Sequence, residues 1–134
     1  MKTPKLLAAL ALCVLGMGAH AQSNAPYPNK PIKLVIGFAP GGAADHVARS
    51  MSDAFGRALG GSVVVENRAG AGSSIAAEFV AKAPADGYTV LIASPSSISV
   101  NPALNPKLGY TPKDLAPVTK ITTSPLVIAA NPNL

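Results

Sequence analysis

The chain has 134 residues, one cysteine and no tryptophan, and 11 Lys/Arg against 6 Asp/Glu give it a formal charge of +5. Its basic residues stand singly, with no run and no interleaved aromatics, which excludes a nucleic-acid interface of the basic-patch kind. A lone cysteine excludes an intrachain disulfide framework, so any fold must rest on an apolar core.

Met1 to Lys5 is short and positive, Leu6 to Met17 is almost wholly apolar, and Ala19-His20-Ala21 puts small residues where a signal peptidase reads them. Cleavage is therefore expected before Gln22, giving a signal peptide over residues 1–21 and a periplasmic product. The apolar run of about 12 residues would rise roughly 18 Å as a helix, short of the roughly 30 Å hydrocarbon core that a retained anchor must cross. Cys13 lies inside that run behind Leu12, which does not suit a lipoprotein signal, so the residue falls in the discarded peptide. Without Lys2 and Lys5, nine basic residues remain against six acidic ones, a charge of +3 that suits an anionic solute.

Ile32 to Phe38 (IKLVIGF) is a short β-branched run, read as a buried strand. Ala39-Pro40-Gly41-Gly42 breaks it. From Asp45 to Leu59 the apolar residues recur at helical spacing, with Asp45, His46, Arg49, Asp53 and Arg57 on the other faces, and Gly60-Gly61 supplies the stop. The pattern then repeats: a strand over Ser62 to Glu66, a glycine loop over Asn67 to Gly72, a helix over Ser73 to Ala83, a turn at Pro84 to Gly87, and a strand over Thr89 to Ala93. Apolar strands alternating with helices imply parallel pairing, right-handed crossovers and helices on both faces. Ser94 to Ser97 reads as a polar loop, Asn101 to Leu104 as a single helical turn, and Thr111-Pro112-Lys113-Asp114 as a capped short helix with Pro at its first position. Leu126 to Ala130 (LVIAA) reads as one more strand.

In an open parallel sheet, ligands sit beyond the carboxyl ends of the strands, where helix N-termini point. Two glycine loops occupy that position, Pro40-Gly41-Gly42-Ala43-Ala44-Asp45 and Gly70-Ala71-Gly72-Ser73-Ser74. Glycines let a backbone come close to a ligand, and a helix start adds partial positive charge, so the pair makes a candidate anion site. The same glycines also serve as strand-to-helix turns. Asp45 fits an N-cap or first-turn residue of the helix, and it could also order a water or take a ligand ammonium; a direct contact with a carboxylate would be repulsive. Ser94, Ser96 and Ser97 could bond a carboxylate oxygen or close a turn on themselves.

Catalytic and metal chemistry have little to stand on. His46 is the one histidine after residue 21 and sits on the polar face of its helix. No Gly-x-Ser-x-Gly elbow occurs, no His/Cys cluster offers metal ligands, and the dinucleotide fingerprint fails because Ile75 stands at its third glycine. No cofactor, metal or catalytic residue is expected.

Six segments follow one another in order: Tyr27-Pro28-Asn29-Lys30-Pro31-Ile32, Phe38 to Asp45, Val65 to Gly72, Asp86 to Leu91, Asn101 to Leu104 and Leu115 to Val118. With them in this register, the chain resembles the substrate-binding proteins of tripartite tricarboxylate transporters, the Bug family. The resemblance implies a type II periplasmic-binding-protein fold: two α/β lobes, each with a mostly parallel sheet and flanking helices, clamping a ligand between them. It implies a monomer that captures a small carboxylate and hands it to a two-component membrane permease. The Pro-Gly-Gly-x-x-Asp loop would meet the ligand carboxylate through backbone N–H groups, with the Asp helping through water. That assigns binding roles to Pro40, Gly41, Gly42 and Asp45, and by position to Phe38 and Ala43. Gly72, Ser73, Ser94 and Ser97 join them from the other two loops.

Ala43 stands where many members have Ser, Thr or Pro, Ala69 replaces a common Pro, and Ser73-Ser74 replaces a glycine-rich continuation, so ligand identity does not carry across. Members are longer than this chain, and the expectation is that residues 22–134 form the N-terminal part of lobe 1, ending near the crossover to lobe 2. A receptor that presents its ligand to a membrane signalling partner, or a truncated product without function, are the alternatives.

Overall fold

The computed structural model describes residues 26–123 and 127–133. The expected signal peptide and Leu126 lie outside the described residues. Three strands, β1 (Ile32–Ile36), β2 (Val63–Asn67) and β3 (Thr89–Ile92), form one parallel sheet in the order β2-β1-β3. Two helices make the crossovers, α1 (Ala43–Leu59) and α2 (Ser74–Ala81), followed by the single turn α3 (Asn101–Leu104).

The strand faces follow from the alternation of side chains along a strand. Leu34 and Ile36 point to one face, where they pack with Ala48 of α1 and with Ala44, Val63, Val65, Val90 and Ile92. Val35 points to the other face and is fully buried as well, so the central strand is covered on both sides. The crossover from β1 to β2 and the one from β2 back past β1 to β3 run in opposite directions, which for right-handed connections places α1 and α2 on opposite faces. Gly60 and Gly61 end α1 by donating back to Arg57 O and Gly56 O. At the start of the sheet, Tyr27 donates to Gly87 O and Lys30 pairs with Asp86 while lying over the Tyr88 ring, which fastens the segment before β1 to the turn before β3.

The alternation of elements matches the sequence pattern, with shifted boundaries. β1 stops at Ile36 because Gly37 and Phe38 already belong to the turn, and α1 starts at Ala43, before Asp45. Thr111 and Pro112 open the expected short helix, a 3-10 turn over Pro112–Asp114 in which the Thr111 N–H and hydroxyl both donate to Asp114 Oδ2. The late strand is a correction. Residues 127–130 form no strand and pair with no described strand, and Val127 and Ile128 are 85% and 103% exposed. β-branched composition marks a strand only where a neighbouring backbone offers a ladder of hydrogen bonds, and here none does among the described residues.

Candidate ligand site

All three strands end level, with Ile36 in register with Asn67 on one side and Ile92 on the other. The segments that follow therefore leave one edge of the sheet together. Because the chain crosses from β1 to β2 in one direction and on to β3 in the other, the ends of β1 and β3 flank the point where the strand order reverses, the usual ligand position in such sheets.

The loop after β1 is built by its own first helical turn. Gly41 has φ +83°, a conformation that crowds Cβ in any other residue, and Gly42 is the extended N-cap of α1. The first intrahelical donor is His46 N–H, to Gly42 O at 3.0 Å. The N–H groups of Gly42, Ala43, Ala44 and Asp45 are thus left without intrahelical acceptors, at the positive end of a helix of 17 residues. Pro40 and Ala43 are exposed beside them, and Phe38 is 39% exposed at the mouth of the turn.

Asp45 is a first-turn residue, as one of its two sequence readings held; the cap position belongs to Gly42. Its side chain faces inward, with the residue 4% exposed. Arg49 Nε donates to Oδ2 at 2.9 Å, Gly41 N–H donates to the same oxygen at 3.0 Å, and Asn67 Nδ2 donates to Oδ1 at 2.9 Å. Those hydrogen bonds, from Arg49 first, then Gly41 and Asn67, hold its carboxyl well below the usual carboxylate range, and the Arg49 guanidinium is raised in return. Asn67 Nδ2 also reaches Phe38 O at 3.1 Å, and Arg49 Nη2 donates to Asn67 Oδ1 at 3.1 Å. One carboxylate thus ties the β1 loop, α1 and the end of β2 together, and Arg49 neutralises it internally. Gly41 contributes shape to the loop, since its N–H is already taken.

The loop after β2 is strained. Ala71, Gly72 and Ser73 have φ of +46°, +59° and +73°, in a 3-10 turn over Ala71–Ser73 that leads into α2. Ser73 is buried at 1% exposure, and its Oγ has no hydrogen-bond partner among the described residues. It lies against Gly37, where an added Cβ would stand 1.7 Å from Ser73 Oγ. After β3, Ser97 is fully buried and donates its hydroxyl to Ser94 O at 3.0 Å, while Ser94 N–H donates to Ser97 Oγ at 3.2 Å. Ser97 closes the turn on itself, the second of its sequence readings, and does not present a free hydroxyl; Ser94 is the half-buried member of the pair.

The sequence-predicted residues thus gather at one sheet edge, but the groups that shape it include several not singled out before. Arg49 was legible as the i+4 partner of Asp45, and Gly37 as a glycine inside an apolar run, which often marks close backbone approach. Asn67, Asn101 and Tyr110 gave no such signal. His46 is exposed on α1, and among the described residues no group of three His, Cys, Asp or Glu side chains could hold a metal.

Residues 47–134 match the family model described as tripartite tricarboxylate transporter family receptor. The chain belongs to this receptor family. Protein BugT of Bordetella pertussis (strain Tohama I) is 39% identical over 137 residues, an alignment that takes in 100% of this chain and 42% of that protein. The structure of the periplasmic binding protein BugD aligns with TM-score 0.61 and 43% identity over 64% of this chain and 28% of that one. A further solved protein, R. palustris Rpa4515 with adipate, aligns with TM-score 0.61 and 38% identity over 66% of this chain and 29% of that one. These two solved proteins thus share this α/β arrangement as part of a longer chain, and the present chain spans less than half the length of the relatives it matches.

Proposed function

We propose that this receptor captures a small carboxylate, of the dicarboxylate kind, in the periplasm and delivers it to a two-component membrane permease. One observation carries the reading. Four N–H groups at the start of α1 have no acceptor among the described residues, at the edge of the sheet where ligands of parallel sheets sit, and the neighbouring Asp45 is already paired with Arg49. Donors at a helix start favour an anion, and an internally compensated aspartate removes the repulsion it would otherwise meet. The adipate bound to Rpa4515 agrees in ligand class.

In this proposal Gly42, Ala43 and the N–H of Asp45 meet one carboxylate, Gly41 and Pro40 shape the turn, and Phe38 covers the ligand's apolar stem. Ser94 and Gly72 line the opposite side, with Ser73 buried behind them. Residues 1–21 are the export signal, so the periplasmic product begins at Gln22, which its intact mass reads. Isothermal titration of the protein with a panel of four- to seven-carbon dicarboxylates, tricarboxylates and aromatic acids tests the binding function. Saturable one-to-one binding of an acid is expected; a panel without any binder refutes it.

A further inference from the structure

We infer that Asn101 and Tyr110 are positioning residues of the ligand site, which lock the loop after β2 to the turn after β3 and so set the distance between two of its walls. The inference rests on the carboxylate-receptor reading above.

Three successive left-handed residues, two of them bearing a Cβ, do not persist unless neighbours hold them, because the Cβ crowds the following carbonyl oxygen. Asn101 supplies that hold. Its Nδ2 reaches Ala71 O at 3.1 Å, Gly72 O at 3.1 Å and Ser74 Oγ at 2.7 Å. The packing is close enough that a Cβ on Gly72 would come within 2.9 Å of the same nitrogen. Tyr110 completes the link from the far side. Its buried hydroxyl donates to Ser97 O at 2.5 Å and lies 3.4 Å from Ser74 Oγ. A continuous chain of polar contacts therefore runs from Ala71 and Gly72 through Asn101 and Ser74 to Tyr110, Ser97 and Ser94. At 5% exposure Tyr110 is too enclosed to touch a ligand, so it acts through the loops it joins. Neither residue bonds to the β1 loop, which Asp45 and Asn67 fix separately. The hydrogen-bond networks of the two sides are thus separate, and the sides meet where Gly37 packs against Ser73.

The test compares Tyr110→Phe and Asn101→Asp with Tyr27→Phe. The last removes a bond of the same kind, Tyr27 OH to Gly87 O at 2.9 Å, at the opposite end of the sheet. Each variant is titrated with succinate, adipate and pimelate, and amide hydrogen exchange of residues 70–74 is followed without ligand. Loss of one oriented hydrogen-bond partner is expected to weaken acid binding about tenfold in Tyr110→Phe and Asn101→Asp. Exchange at 71–74 should speed up in both, and Tyr27→Phe should change neither readout. The inference is overturned if Tyr110→Phe binds like wild type, or if Tyr27→Phe weakens binding as much. Should Asn101→Asp not fold, Tyr110→Phe, which loses one hydroxyl only, decides alone. A wild-type protein that binds none of the acids sinks the receptor reading and this inference together, an outcome distinct from wild-type binding that the variants leave unchanged.

Discussion

Replacing Gly37 by alanine puts a methyl group where the first two loops touch. The new Cβ would lie 1.7 Å from Ser73 Oγ, 2.4 Å from Ser73 Cβ and 2.6 Å from Ser73 Cα. The hydroxyl can rotate away, but the α-carbon cannot. Ser73 Cβ is fixed by the backbone as well, so restoring the 3.4 Å of an ordinary contact to it means that the loops part by 1.0 Å at that point. Overpacking of this kind costs about 1–3 kcal/mol, and a clash with backbone belongs at the upper end. Urea unfolding followed by far-UV circular dichroism reads this as a lower midpoint at unchanged slope. The Gly37→Ala/Ser73→Gly double variant isolates the contact. Glycine at 73 removes the Cβ and Oγ and accepts φ +73° without crowding, so the pair should be less destabilised than the two single changes summed, with coupling of about 1 kcal/mol or more. Gly37→Ala unfolding at the wild-type midpoint, or strict additivity in the double variant, would refute the argument that the loops meet there.

Asp45→Asn keeps the shape of the side chain but removes the charge that Arg49 neutralises. The folded carboxyl titrates below its unfolded value of about 3.9, so its contribution to stability is present in full above about pH 5 and is lost as pH falls through and below that value. The wild-type advantage over Asp45→Asn in urea midpoint should therefore shrink between pH 5 and pH 3; an advantage independent of pH contradicts the described pairing. Gly41→Ala meets no atom within 4 Å, yet it forces a Cβ onto φ +83°, at about 1–2 kcal/mol. Its thermal midpoint should fall, and its affinity for dicarboxylates should fall further than the midpoint alone suggests, because the turn that aims the N–H groups of Gly42 and Ala43 relaxes; unaltered binding by calorimetry counts against a ligand at this loop.

The strand–helix alternation was readable because both periods are strong. IKLVI has the length and branching of a buried strand, and Val47, Ala48, Met51, Ala54, Phe55, Ala58 and Leu59 keep helical spacing for four turns. The two glycine loops could likewise be placed at one sheet edge before any coordinates. What each polar side chain does there was less legible. Whether Asp45 capped a helix, met a ligand or turned inward depended on Asn67, which is 22 residues away and brought near only by the register of β1 with β2. Ser97 offered two equivalent readings from sequence, and only burial separates them. Asn101 and Tyr110 carry no local pattern, because their partners at 71–74 and 97 come from other turns of the chain. The expected late strand fails over residues 127–130 for a related reason: composition reports the tendency of a segment to pair and says nothing about whether a partner edge is at hand.

The Asp45–Arg49–Asn67 cluster has a kinetic consequence. It holds the β1 loop at two points, Gly41 N–H and Phe38 O, before any solute arrives, so encounter with an acid requires no folding of this wall and no search among loop shapes. Association should then depend mainly on diffusion and access, and closely related acids should differ in how long they stay. With the aspartate and arginine charges paired with each other and the anion held by backbone N–H groups, that residence time should change little with added salt, unlike a receptor that holds its anion with an exposed lysine or arginine.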